Sequence, residues 1–275
     1  MLLLTSNICY EQIIVIATKI NCMKYRIFLT LFLSLINSVL LAQEVKHAEL
    51  IGDRPDQTES AFVLPKGYVQ FEDGFVYENE TYNIQNISYS SFLLRYGLIE
   101  NMELRFGTEY TKVKGIGDNV VGLTPFFAGA KIHVNKEEGW IPQIAFLGHI
   151  NIAESGYSYF KQDYHSAQMV LTFNHTINEL WSFGYSIGVT FPSNVNYAVG
   201  TYTFVSGFSI SEKMGAFIEA YGDFTKYRYA DNKINGGVTY LVHHNIQLDI
   251  AGGFGLSDYS PKNYWSIGFI YLFKP

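Results

Sequence analysis

The sequence is poor in cysteine, in charge and in long apolar runs. Its 275 residues contain 2 Cys, Cys9 and Cys22, both close to the N-terminus. A disulfide framework, a thiol nucleophile and a cysteine-based zinc site are therefore excluded for everything downstream. Charged residues make up 16%, against roughly 25% in soluble domains. Basic residues number 19 and acidic ones 25, a net charge of −6, which argues against a nucleic-acid partner. Mean hydropathy is +0.06, too low for a bundle of membrane helices. No G-x-x-x-x-G-K-[ST] phosphate loop, G-x-G-x-x-G nucleotide fingerprint or G-x-S-x-G nucleophile elbow occurs.

Aromatics are abundant, at 16%, with 21 Tyr, 21 Phe and 3 Trp, beside 24 Gly. Such a composition with near-neutral hydropathy suggests alternation of apolar with small or polar residues. The stretch 181–191 has it in pure form. Trp181, Phe183, Tyr185, Ile187, Val189 and Phe191 occupy odd positions, and Ser182, Gly184, Ser186, Gly188 and Thr190 even ones. Period two puts each set on its own face of a strand, whereas a helix would scatter both. Met102, Leu104, Phe106 and Tyr110 likewise oppose Glu103, Arg105, Gly107 and Glu109.

About twelve such segments are predicted. They run over 67–78, 87–97, 102–111, 122–134, 140–152, 166–177, 181–191, 198–210, 214–223, 233–241, 246–256 and 264–273. Most exceed the ~5–6 residues of a soluble strand and suit the ~9–11 that cross a bilayer at a tilt. The turns 98–101, 135–139, 178–180, 211–213 and 242–245 are short. The connections 112–121, 154–165, 224–232 and 257–263 are longer and polar. Lipid cannot satisfy backbone N–H and C=O groups, so a spanning sheet must close on itself. Short turns at one end and long loops at the other are the plan of an outer-membrane barrel. The expected fold is all-β, a transmembrane antiparallel up-and-down barrel of about twelve strands over 66–275; the rival is a soluble sandwich or lipocalin-like barrel.

Ahead of it, Lys24-Tyr25-Arg26, the apolar run 27–41 and Ala42-Gln43 read as a signal peptide over 23–42. The run is shorter than the ~20 residues of a spanning helix. Met23, just before the basic residues, leads us to expect 1–22 to be an upstream extension from a misassigned start; the rival is an unusually long leader. Residues 43–65 form a periplasmic N-terminal segment. Its Asp53, Arg54, Asp56 and Glu59 are expected to fold into the periplasmic mouth as a plug and pair with Arg95 or Arg105; the alternative is a solvated tail.

The C-terminal Ser266-x-Gly268-x-x-Tyr271-x-Phe273 is similar to the last-strand signal read by the bacterial barrel-assembly machinery, although Lys274-Pro275 follow it. Further stretches carry a wider resemblance: 53–60 (DRPDQTES), 65–70 (PKGYVQ), 94–98 (LRYGL), 103–105 (ELR) and 252–255 (GGFG). Across 51–273 the chain resembles the outer-membrane family described as transporters, or as the meta-pathway of phenol degradation. That resemblance implies porin-like passage of small, hydrophobic or aromatic compounds across the outer membrane of a double-membrane bacterium.

With aromatics outward, the opposite faces line the lumen. They present Arg95, Glu103, Arg105 and Glu109 from the second and third strands and Lys131 and His133 from the fourth. Gln143, His149 and Asn151 come from the fifth, and Glu219, Asp223, Gln247 and Asp249 from later strands. These charges either filter solutes at an eyelet or form ion-pair networks that fill a narrow barrel. The favoured function is passive passage of small solutes, with no enzyme activity, cofactor or metal and with membrane lipid around the wall. Alternatives are a non-conducting structural or adhesive barrel and a membrane-embedded lipase using His175.

Overall fold

In the computed structural model, residues 48–275 are described except 116 and 118; the expected upstream extension, signal peptide and residues 43–47 lie outside them. Thirteen strands are present among the described residues, all paired antiparallel. They are β1 (Val69–Asn79), β2 (Gln85–Ile99), β3 (Met102–Lys114), β4 (Val120–Leu123), β5 (Phe127–Asn135), β6 (Gln143–Asn151) and β7 (Ser166–Asn178). The rest are β8 (Trp181–Phe191), β9 (Val199–Ser211), β10 (Met214–Thr225), β11 (Arg228–His243), β12 (Ile246–Gly255) and β13 (Asn263–Phe273). Apart from β4 and β5, which both pair with β3, each pairs with its neighbours in sequence, and β1 pairs with β13 from Val69↔Phe273 to Asn79↔Asn263. The sheet is therefore a closed barrel.

Strands β4 and β5 are two halves of one stave. Tyr110–Val113 of β3 pairs with β4, and Met102–Gly107 of β3 pairs with β5. The barrel thus has twelve staves, and the expected fourth strand, 122–134, is broken at Thr124-Pro125-Phe126. Pro125 has no N–H to donate to a ladder. A second difference is 224–232, expected as a long loop. Strands β10 and β11 instead extend into it, pairing Asp223↔Asp231 and Thr225↔Arg228 about a tight turn. Beyond the lipid a hairpin needs no apolar face, so its polar sequence hid it.

The short turns, together with the start of β1 and the end of β13, lie at one end, the periplasmic end by the rule for such barrels. The outer wall carries the apolar residues. Ile187, Phe204, Ile218, Ile250, Trp265 and Ile267 each retain about half their accessible surface. In water such a belt would be an aggregation surface; against acyl chains it costs nothing. Rings also meet across strands, with Phe173 and Tyr185 stacked 4.8 Å apart.

Candidate functional site

The opposite parity of every strand points inward, and in the periplasmic half of β1, β2, β3 and β5 the inward residues include charged ones. Arg95, Glu103, Arg105 and Lys131 come from β2, β3, β3 and β5. Glu72 of β1 joins them. All five are buried. They are neighbours because the register brings Arg95 opposite Arg105 and Glu103 opposite Lys131. Three cations in so small a space require anions, and the wall supplies two. Arg95 Nε donates to Glu103 Oε1 at 2.8 Å, and its Nη1 to Glu72 Oε1 at 3.1 Å.

The stretch 51–65, ahead of β1, supplies the others. Asp53 lies 2.6 Å from Arg105, 3.2 Å from Arg95 and 2.9 Å from Lys131. Glu59 lies 3.0 Å from Arg105 and 3.1 Å from Lys131. Burial alone would raise the Asp53 carboxyl. The charges of Arg95, Lys131 and Arg105 overcome that and hold it well below the usual carboxylate range. The backbone of the stretch is satisfied by the same wall. Leu64 N–H donates to Glu103 at 2.8 Å, and the carbonyls of Ser60 and Ala61 accept from Lys131 at 3.0 Å and Gln143 at 3.3 Å. Thr172 donates to the Glu59 carbonyl.

Across the lumen the contacts are fewer. Gln57 N–H donates to Glu219 at 3.0 Å, and the Thr58 hydroxyl donates to it at 2.6 Å. Arg54 pairs with Asp249 of β12 at 3.0 Å and donates to Ser91 of β2 at 3.1 Å. It reaches both by lying over Gly74 and Gly268, which face each other across the β1–β13 seam. A Cβ at either would stand 2.4 Å from the guanidinium. Asp56, half-buried, faces Glu219. Its carboxyl is pushed well above its usual range, first by burial and then by the Glu219 charge.

The remaining sequence-expected lumen residues lie apart from this network. Glu109 accepts from Ser88 at 2.7 Å toward the outer mouth. Asn151 donates to Ser166 at 2.9 Å, and Asp223 pairs with Arg228 at 2.6 Å on the rim. His149 packs on Phe127, ring centres 5.0 Å apart. His133 and Gln247 share the inward faces of Lys131 and Asp249 and are half-buried. In the last strand Ser266 and Gly268 face inward, while Tyr271 and Phe273 face outward and stack at 5.4 Å. His175 stacks on Tyr185 at 6.0 Å, and its cross-strand partner on β8 is Phe183 rather than a serine. Sequence reasoning missed Glu72, although Gln70, Glu72 and Gly74 alternate with Phe71, Asp73 and Phe75.

Among the described residues, cavities open at successive levels of the lumen. An outer one of about 620 Å³ is lined by Thr108, Glu109, Asn151 and Phe160. A second, of about 500 Å³, shares Glu109 and Phe160 with it and reaches Arg54, Pro55 and Asp56. A third, of about 400 Å³, lies on the periplasmic side of those same three residues.

The barrel is similar to an outer-membrane channel from Pseudomonas putida F1, with a TM-score of 0.63 and 11% identity over 81% of this chain and 100% of that one. It is also similar to the KdgM porin, with a TM-score of 0.52 and 11% identity over 73% of this chain and 98% of that one. At such identities the likeness is one of fold. No curated protein matches the sequence. Residues 52–273, from the lumen stretch through the last strand, match one family along their whole length, and the chain belongs to it: the family described as "Putative MetA-pathway of phenol degradation".

Proposed function

We propose that the protein is a passive outer-membrane channel for small solutes, hydrophobic and aromatic ones among them, and that residues 51–65 are a plug narrowing its inner half. The observation that carries the reading is the meeting of two cavities at Arg54–Asp56, one on each side of the plug. A closed barrel with space on both sides of a partial obstruction needs only a concentration gradient to pass solutes. The family description gives aromatic compounds as the class to try first. We assign the protein no catalytic role and no cofactor, and we take the Ser266–Phe273 strand to be its signal to the barrel-assembly machinery. The density of buried ion pairs on β2, β3 and β5 favours one rival, a non-conducting barrel. Swelling of proteoliposomes in isosmotic solutes separates the two. Faster swelling than in protein-free liposomes is expected for small neutral solutes, falling steeply with solute size. Equal swelling for every solute would overturn the channel reading.

A further inference from the structure

The two sides of the inner lumen differ in chemistry. On β2, β3 and β5 the wall is charged, and the plug is fastened to it by the ion pairs of Asp53 and Glu59. On the inner ends of β7–β11 the lumen-facing residues include Thr176, Ser182, Gly207, Ser209, Gly215 and Thr239. None carries charge and all are small. Such a wall offers the plug no ion pair, and its short side chains do not fill the gap. The 400 Å³ cavity lies there, between these residues and plug residues Arg54–Ser60. Phe62, Phe173, Phe208 and Phe217 also line it, Phe217 lying over Gly237.

At its outer end this cavity meets Arg54, Pro55 and Asp56, which also line the 500 Å³ cavity above. Just there the plug is tied to Asp249 of β12 by Arg54 and to Glu219 of β10 by Gln57 and Thr58, with no ion pair, among the described residues, to the inner ends of β7–β11. The two cavities are thus divided by one short stretch of plug; the inner one lies against the small residues of β7–β11, and the outer one is walled by β1–β3, β10, β11 and β13, with Glu78, Glu109 and Lys233 among its residues.

We propose that solutes pass along the β7–β11 side of the plug, with Arg54–Asp56 against Glu219 as the constriction, and that this uncharged wall admits small uncharged solutes. The proposal rests on the channel reading and adds its route and its selecting residues. A thin obstruction beside a neutral wall needs a small displacement to open. The charged side would have to break several buried ion pairs, leaving their partners buried and uncompensated.

The described residues contain no cysteine, so single cysteines report position. Ser182→Cys, Ser209→Cys and Thr239→Cys are placed on the proposed route. Ala145→Cys is placed on β6, at a fully buried position two residues from the Gln143 that holds the plug. The unsubstituted chain, with Cys9 and Cys22, is the control. Each folded protein is inserted in a planar bilayer and treated with a methanethiosulfonate carrying a trimethylammonium group. The expected result is a fall in single-channel conductance by roughly half or more for the three route variants, as an added charge in a narrow pore demands. Ala145→Cys and the control should not change. Route cysteines that react without changing conductance, that stay unreacted in a conducting channel, or that block no more than Ala145→Cys would overturn the route. Absence of discrete steps from any folded variant would overturn the channel reading, and the route with it.

Discussion

The Asp53 carboxylate stands 2.6 Å from the Arg105 guanidinium, and the same carboxylate also reaches Arg95 and Lys131. One acid ahead of the barrel thus serves three cations of three wall strands. Its side chain keeps 5% of its surface, so solvent screens these pairs little. Asp53→Asn should cost about 3–5 kcal/mol, because it leaves buried cations short of an anion. Glu59, with 24% of its side-chain surface exposed, should matter less. The midpoint of the heat-induced gel shift checks this: a fall for Asp53→Asn well beyond that for Glu59→Gln is expected.

The plug acids give opposite responses to pH. The lowered Asp53 contributes stability that is complete above the unfolded value of about 3.9 and is lost as pH falls through its folded value. Asp56, raised by burial and by Glu219, behaves in reverse. Its contribution is complete below the unfolded value and is lost as pH rises through the folded one. Acidification from neutrality should therefore first tighten the plug and then release it. Conductance followed from about pH 8 down to about pH 2 should dip and then rise. Asp56→Asn should shrink the dip, to which Glu59, also raised by burial, contributes, and Asp53→Asn should remove the acid rise.

Gly74 has a specific task. A Cβ there meets the far end of the Arg54 side chain, which can move, so the penalty is not strain. It is loss of the Asp249 pair and the Ser91 hydrogen bond, about 1.5–3 kcal/mol for bonds to a charged group. Gly74→Ala should cost that much in the native chain and close to nothing in an Arg54→Ala background. Equal costs in both backgrounds, read by the same thermal midpoint, would remove Arg54 from its seat on the β1–β13 seam.

Ile187 lies near the middle of β8 on the outward face, about half exposed. Ile187→Arg should destabilise the barrel by about 2–4 kcal/mol, the cost of a cation at the bilayer midplane. In a soluble sandwich an exposed isoleucine would accept arginine with little change. Urea unfolding in lipid vesicles measures the difference.

Much of the barrel was legible because period two is a local signal. Strand β8 coincides with its predicted span, and the last strand differs by one residue, since alternation survives without knowledge of any partner. The break at Pro125 was visible in principle, for proline has no N–H to give a ladder, but the flanking apolar residues bridged it. The extension of β11 over Arg228–Asn232 was hidden because polar strands and polar loops look alike where no lipid selects a face. Alternation also names the inward residues. It cannot say that Arg95 and Arg105 face each other, or that Arg54 crosses to Asp249, because those meetings depend on register and on the path of a segment 195 residues away from its partner.

The most direct measurement is single-channel conductance of the intact chain beside a variant lacking residues 44–60, each shown folded by heat-modifiable migration. Discrete steps from both, larger for the deletion, are expected of a channel narrowed by its own N-terminal segment. Identical steps and identical thermal midpoints would contradict the plug. Silence from both folded proteins would contradict the channel itself.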